Sequence, residues 1–406
     1  MSKRYKICIV SHAHLTNNPR VLKEAMALSA AGYNVSVVTV LVNEILYNSD
    51  NEIIKEKGIN YKNSVNLIPG QAGFLRIIVA KVKRKLFELL SKYLQIEFPQ
   101  PLTYGLNEIF WRAKREDADL YICHNEPGLC VGVKLMKINK RVAFDFEDWY
   151  SKDYLIKGRP VKLLSKLEKV ALINAKYVTT TSNAMAESLG KEYHVDKPHI
   201  LYNAFSLNER VGVKLSENKV NESLSLYWFS QTIGPGRGIE QIIISLNLVN
   251  KSVSLHLRGK VANEFKEILK QSLNDRHKIF FHEPVPPHKI VETMQLFDIG
   301  LSLELNYPPS RNLTVTNKIL HYLLAGLPVL ASDTVGQREV YNISQGAVEI
   351  IDLNNPERTA SVIESLINDR QRLKAMSEKA TKVSTEIFNW EAQEKVFLSC
   401  IEKALS

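Results

Sequence analysis

Gly234, Gly236 and Gly238, with Arg237 among them, stand in the run SQTIGPGRGIEQII, between a strand-like and a helix-like segment. Glycines let a backbone come close to a phosphate, and a helix N-terminus offers free N–H groups at the positive end of its dipole. The fork of Arg237 matches phosphate oxygens. A plain strand-to-helix turn also takes glycines, but Gly-Pro-Gly-Arg-Gly is more than such a turn needs. It is no dinucleotide fingerprint: GxGxxG from Gly234 needs glycine at 239, where Ile239 stands, and no GxxxxGK[ST] occurs.

A second stretch, ELNYPPSRNLTVTNKILHYLLAGLPVLASD from Glu304 to Asp333, leads a polar loop (Pro308 to Thr314) into a helix from about Val315 to Ala325, stopped by Gly326. Thr314, Thr316, Asn317 and Lys318 gather at that helix start. A lysine in a first turn opposes the helix dipole unless an anion meets it, so Lys318 reads either as a phosphate ligand or as a solvated surface lysine. In FDFEDWYS (Phe144–Ser151), Asp145, Glu147 and Asp148 set three carboxylates in four residues at a strand's end. Such a group needs solvent or partners, and one member could serve as general base. The other reading is a solvated acidic turn.

These groups need elements to hold them. Strand-like runs alternate with helical segments along the chain, the pattern of parallel α/β domains. In the first half they are Tyr5–Ser11, Val35–Leu41, Leu120–Cys123, Val142–Asp145, Tyr177–Thr180 and His199–Leu201. Arg20–Ala31 between the first two carries Val21, Leu22, Ala25 and Leu28 at helical spacing. The second half offers Leu224–Phe229, Val253–Leu257, Ile279–His282, Ile299–Leu303, Val329–Ser332 and Val348–Ile351. We expect two doubly wound Rossmann-like domains facing a cleft, at 1–205 and 223–385, joined by a polar linker at 206–222. A C-terminal helix at 386–406, with Val396, Phe397, Ile401 and Leu405 on one face, is expected to cross back to the N-terminal domain.

Basic residues exceed acidic ones by ten, 53 against 43, and half of that excess lies in residues 74–94, FLRIIVAKVKRKLFELLSKYL. Leucines and valines recur there at three-to-four spacing between six bases and one acid. This suits a helix lying on an anionic membrane surface, and equally a core-packed helix with a basic back. Nucleic acid is not expected, since no aromatics are interleaved with the bases. Four cysteines without CxxC spacing suit a reducing cytosol, and no run of eighteen apolar residues crosses a membrane. A cytoplasmic protein, peripheral on the inner face of the plasma membrane, is the expectation.

NLTVTNKILHYLLAGLPVLASDTVGQREV resembles the donor-binding segment of glycosyltransferases of the GT-B fold, family 4 (group 1) in particular. Other stretches agree in order: NNPRVLKEAMALSAAGYNVSVVT, HNEPGL (His124–Leu129), FDFEDWYS, TTTSNAMAESLGKEYHVDKPHILYNA and GPGRGIEQII. The resemblance covers about residues 5–385. It implies transfer of a sugar from a nucleotide-diphospho-sugar, a UDP-sugar before a GDP-sugar, to a glycan or polyprenyl-linked acceptor, with retention, in surface polysaccharide or glycolipid synthesis. It implies no metal and no cofactor beyond the donor. Gly236, Arg237, Gly238, Thr314, Thr316 and Lys318 become the diphosphate site, with Arg237 and Lys318 as clamps. Asn317, His321 and Glu339 fall on the nucleoside and donor side, and Asn18 and Arg20 on the acceptor side. His124, Glu147 and Asp148 become the catalytic candidates, with His124 against the donor sugar. Two departures stand out: His321 replaces the glutamate that takes both ribose hydroxyls, with Leu313 at the partner position, and Glu147 stands where the family often has histidine. They keep open a catalytically silent relative acting as a scaffold, as well as a nucleotide-sugar epimerase or an inverting transferase.

Overall fold

Apolar, β-branched runs with little polar alternation form the strands, as sheets covered by helices on both faces require. The computed structural model of the chain describes residues 4–61, 64–155, 158–210 and 223–406. Most of the expected linker, from 211 to 222, lies outside them. The first half supplies β1 (Lys6–Val10), β2 (Asn34–Val38), β3 (Val40–Leu41), β4 (Ile59–Asn60), β5 (Val65–Asn66), β6 (Leu120–His124), β7 (Val142–Phe146), β8 (Val178–Thr180) and β9 (His199–Ile200). The second half supplies β10 (Leu224–Ile233), β11 (Val253–Val261), β12 (Lys278–His282), β13 (Ile299–Ser302), β14 (Val329–Ser332) and β15 (Val348–Ile351).

One sheet has the order β4-β2-β1-β6-β7-β8-β9 and the other β12-β11-β10-β13-β14-β15, with every pairing parallel. Both orders reverse direction after the first strand, between β1 and β6 and between β10 and β13. That reversal is the doubly wound arrangement, and it opens a crevice at the strands' carboxyl ends. The chain divides into two compact units: Met1–Thr181 with Met185–Leu201 and Glu394–Ser406, and Ser182–Ala184 with Tyr202–Gln393.

Alternate residues of β10 feed two cores. Leu224, Leu226 and Trp228 pack with Ile239, Ile242 and Leu246 of the helix Ile239–Asn247. Tyr227 and Phe229 pack with Ile319, Tyr322 and Leu323 of the helix Asn317–Leu324. The period of two along a strand places these cores on opposite faces.

Several boundaries differ from the sequence-based expectation. The run Val35–Leu41 breaks at Thr39, whose N–H donates to Ser64 Oγ (3.2 Å) and whose hydroxyl donates to the Ala13 carbonyl (2.8 Å). Val40–Leu41 then leaves the large sheet and pairs with β5. The loop expected from Pro308 to Thr314 holds a short helix, Pro309–Leu313, with proline at its start, where a missing N–H costs nothing. In the last helix, Trp390–Leu405, Phe397, Ile401 and Leu405 are buried while Val396 is exposed. The helix Phe74–Leu94 has no buried residue, so the core-packed reading of that segment does not hold.

Gly300 in β13 lies flat against the Tyr322 ring: a Cβ built there would stand 2.4 Å from Tyr322 Cγ. Tyr322 is fully buried, and its hydroxyl donates to the Leu301 carbonyl (3.1 Å). Gly300→Ala should therefore destabilise the protein by about 1–3 kcal/mol through overpacking. A urea midpoint equal to that of wild type would show that the helix Asn317–Leu324 is not held by this contact.

Candidate functional site

In the first unit, the carboxyl ends of β1, β6 and β7 carry a buried charge cluster. Arg20, on the helix Pro19–Ala30, is 1% exposed. It holds both Asp145 oxygens, through Nε and through Nη2 (2.7 Å), and donates to the Leu201 carbonyl (2.8 Å). Glu24, one turn along the same helix, lies 3.8 Å from Arg20 Nε and 2.9 Å from His124 Nε2. His124 Nδ1 stands 3.3 Å from Asp145 Oδ2 and 3.6 Å from Glu147 Oε1, off the line of a hydrogen bond to either.

Burial alone would lower the His124 pKa, but Glu24 and then Asp145 and Glu147 outweigh it and hold it well above the ordinary value. Burial would raise Asp145; Arg20 and then His124 outweigh it and keep the carboxyl well below the usual range. Glu24 is raised, chiefly by burial, against the opposing charge of His124. Asp145, Glu24 and His124 are also the one trio of close metal-type ligands among the described residues, and Arg20 already occupies Asp145 there.

The structure places the residues singled out in the sequence as follows. His124 is fully buried and Arg20 is 1% exposed; Glu24 holds the first and Asp145 the second. Asp145 is paired rather than solvated. Asn18 caps the helix Pro19–Ala30 by accepting from Val21 N–H (3.2 Å) and donates to Asn125 Oδ1 (3.4 Å). Asn125, at φ +62°, donates in turn to Glu147 Oε1 (3.1 Å). Asn18, Asn125 and Glu147 thus form one chain of contacts. Asp148 is exposed. The dense protein around its carboxyl, and then the charges of Glu147, Asp153 and Glu126, raise its pKa, against the opposing charge of Arg159. Such a group suits proton transfer near neutral pH.

In the second unit the glycine-rich turn follows β10. Gly236 and Gly238 have φ of +70° and +82°, the left-handed region that favours glycine. A Cβ on Gly238 would come within 2.9 Å of Leu303 Cβ, whereas Gly234 and Gly236 face open space. Gly236 N–H already donates to Glu240 Oε1 (3.1 Å), a carboxylate of the helix that follows. Arg237 is half-buried and has no hydrogen-bond or ion-pair partner among the described residues.

Lys318 does meet an anion, but an internal one: its Nζ donates to Glu304 Oε1 at 2.7 Å and lies 5.8 Å from the Trp228 ring centre. Thr316 precedes the helix with its hydroxyl 3.3 Å from that of Ser302, and Asn317 is exposed beside it. Thr314 turns away to donate to the Ser310 carbonyl (2.8 Å), so it serves the loop. His321 is buried; its Nδ1 donates to the Asn317 carbonyl (2.9 Å) and its ring lies 3.5 Å from Phe205 and 5.5 Å from Phe229, centre to centre. A ring so enclosed is a packing element. Glu339 accepts from Asn183 N–H (2.9 Å), Ala184 N–H (3.0 Å) and Tyr202 Oη (2.6 Å), so both of its carboxylate oxygens are occupied. A cavity of about 450 Å³ opens between Glu304, Tyr307, Asp333 and Asp352 at the carboxyl ends of β13, β14 and β15.

Glu304, Asn125 and Glu24 were missed from sequence. Only Glu24 left a signal, four residues after Arg20 on one helix face.

No family model matches the chain, and no curated protein matches it in sequence. Solved structures match nearly its whole length. Sucrose-phosphate synthase from Thermosynechococcus elongatus is similar at 16% identity and a TM-score of 0.70, over 98% of this chain and 99% of that one. HepE of Anabaena, in complex with UDP and glucose, is similar at 14% identity and 0.67, over 98% and 100%. A putative UDP-N-acetylglucosamine 2-epimerase from Listeria monocytogenes is similar at 12% identity and 0.58, over 98% and 96%. The chain therefore has the two-domain GT-B fold.

Arg20→Ala should cost about 3–5 kcal/mol, because it leaves Asp145 buried without its partner. Adding Asp145→Asn should recover part of that loss. The depressed Asp145 pKa also fixes a sign: its stabilisation is present above the unfolded aspartate value of about 3.9 and is lost as pH falls through the folded one. Acid unfolding of Asp145→Asn should accordingly be shallower than that of wild type; equal slopes would remove the pair from the stability of this unit.

Proposed function

We propose that the chain transfers a sugar from a nucleotide-diphospho-sugar, a UDP-sugar in the first instance, to a glycan or lipid-linked acceptor. The observation that carries this reading is the glycine-rich turn and the start of the helix Asn317–Leu324 flanking the β10/β13 reversal of a full-length GT-B fold. The HepE neighbour was solved with UDP and glucose. In this reading the diphosphate meets Arg237, which has no other partner among the described residues, and Lys318, which exchanges Glu304 for phosphate. Positive groups held before the reaction stabilise the charge that develops on the leaving diphosphate. Asp148 takes up a proton on the acceptor side, with Glu147 held beside it by Asn125. Retention, independence of metal, surface polysaccharide or glycolipid as product, and a cytoplasmic enzyme working at the inner face of the membrane all belong to this reading.

One observation favours a second reading, a silent transferase-like scaffold: His321 is enclosed between Phe205 and Phe229 where the resemblance calls for a ribose-binding carboxylate. An epimerase is the weaker enzyme alternative, since its solved relative fits less well.

Thermal unfolding with UDP, GDP, ADP and CMP, each with and without magnesium, separates these readings. A ligand at 100 times its Kd should stabilise the fold by about 2.7 kcal/mol. A shift with UDP that does not need magnesium is the expected result; no shift with any nucleotide supports the scaffold. Arg237→Ala and Lys318→Ala should each lower turnover about 100-fold, equal to about 2.7 kcal/mol in the barrier. Unchanged rates in both would remove them from the diphosphate site.

A further inference from the structure

We propose that the outward face of the helix Phe74–Leu94 docks the protein on an anionic lipid bilayer. The helix is 21 residues long, about 30 Å, and none of its residues is buried. At 3.6 residues per turn, Leu75, Ile78, Val79, Val82, Leu86, Leu89 and Tyr93 fall within about 60° of Val82 and form one stripe. All seven are exposed, from 38% at Ile78 through 59% at Val82 to 79% at Tyr93. An apolar stripe of this length in water is unfavourable unless something covers it.

The opposite face holds the helix to its own unit. Phe87 packs edge-on against Phe98 at 5.2 Å, Arg84 lies over Tyr104 at 4.9 Å, and Arg76 pairs with Glu108. The arrangement of charge identifies the occupant. Inward-side Arg76 and Arg84 are neutralised by Glu108 and Glu88. Lys81, Lys83 and Lys92 flank the stripe and have no carboxylate partner among the described residues. A protein partner would need a matching groove with acidic rims. A bilayer with anionic headgroups meets both needs at once: acyl chains receive the stripe and headgroups receive the lysines. Tyr93 has the apolar ring and polar tip that suit the boundary. The inference gives the membrane contact of the transfer reading its residues; it uses no residue of either candidate site, so vesicle binding and nucleotide binding fail independently.

Sedimentation with vesicles tests it, using phosphatidylcholine alone and phosphatidylcholine mixed with phosphatidylglycerol. The wild-type chain should sediment with the mixed vesicles and stay in solution with the neutral ones. Replacing Lys81, Lys83 and Lys92 by Gln should weaken binding by about fivefold per charge. Val82→Asp with Leu86→Asp should abolish it, with thermal unfolding unchanged because both positions are exposed. Leu86→Trp reports insertion through its emission in excess of the wild-type chain's four tryptophans, which should shift to the blue on adding mixed vesicles. Wild-type protein that ignores the mixed vesicles, an Asp pair that still binds, or an unmoved tryptophan emission would each overturn the proposal. A dimer that the Asp pair splits, with no vesicle binding, would assign the face to a second copy of the chain.

Discussion

Every strand in both large sheets runs parallel to its neighbours, and this one constraint organises the molecule. A parallel pairing cannot be closed by a hairpin, so each connection must cross a face of the sheet and return. Both faces are thereby covered, the strands become apolar throughout, and polar chemistry is displaced to their carboxyl ends. His124 is the last residue of β6 and Asp145 the fourth of β7; Leu303 and Glu304 follow β13 directly. The candidate groups of both units stand where they do because a parallel sheet leaves them nowhere else.

Displaced charges still need partners, and the two units solve this differently. The first encloses its charges: Arg20 takes Asp145, Glu24 takes His124, and no solvent reaches the set. Such a network fixes the carboxyl ends of β6 and β7 against the helix Pro19–Ala30 and leaves Asn125, Glu147 and Asp148 as the accessible layer above it. The second unit leaves part of its charge open. Arg237 has no partner among the described residues, and Lys318 and Gly236 N–H are held by the carboxylates of Glu304 and Glu240. An incoming anion there competes with groups the chain already supplies.

The elements were legible in the sequence because they are local. Val35 to Val38, Leu120 to Cys123 and Val329 to Ser332 state their burial by residue type alone, and Gly238 states a left-handed turn. The two-residue strands β4 and β5 are too short to show any period. What decides the candidate site is distant pairing. Arg20 and Asp145 are 125 positions apart, Glu24 and His124 are 100 apart, and even Lys318 and Glu304 are 14 apart. Nothing in one sequence joins such residues. His321 shows the cost: its type suggested a polar role, and two aromatic rings from other segments, Phe205 and Phe229, made it part of the core.

The chain passes out of the first unit at Leu201 and returns only at Glu394. Phe397, Cys400, Ile401, Ala404 and Leu405 complete the buried interior there, and Arg141 donates to the Leu405 carbonyl at 3.0 Å. During synthesis on a ribosome, the first unit thus emerges first yet lacks its closing helix until the whole second unit has been made. Its nascent form exposes an apolar seam for that entire interval, so order of translation and order of completion run in opposite directions.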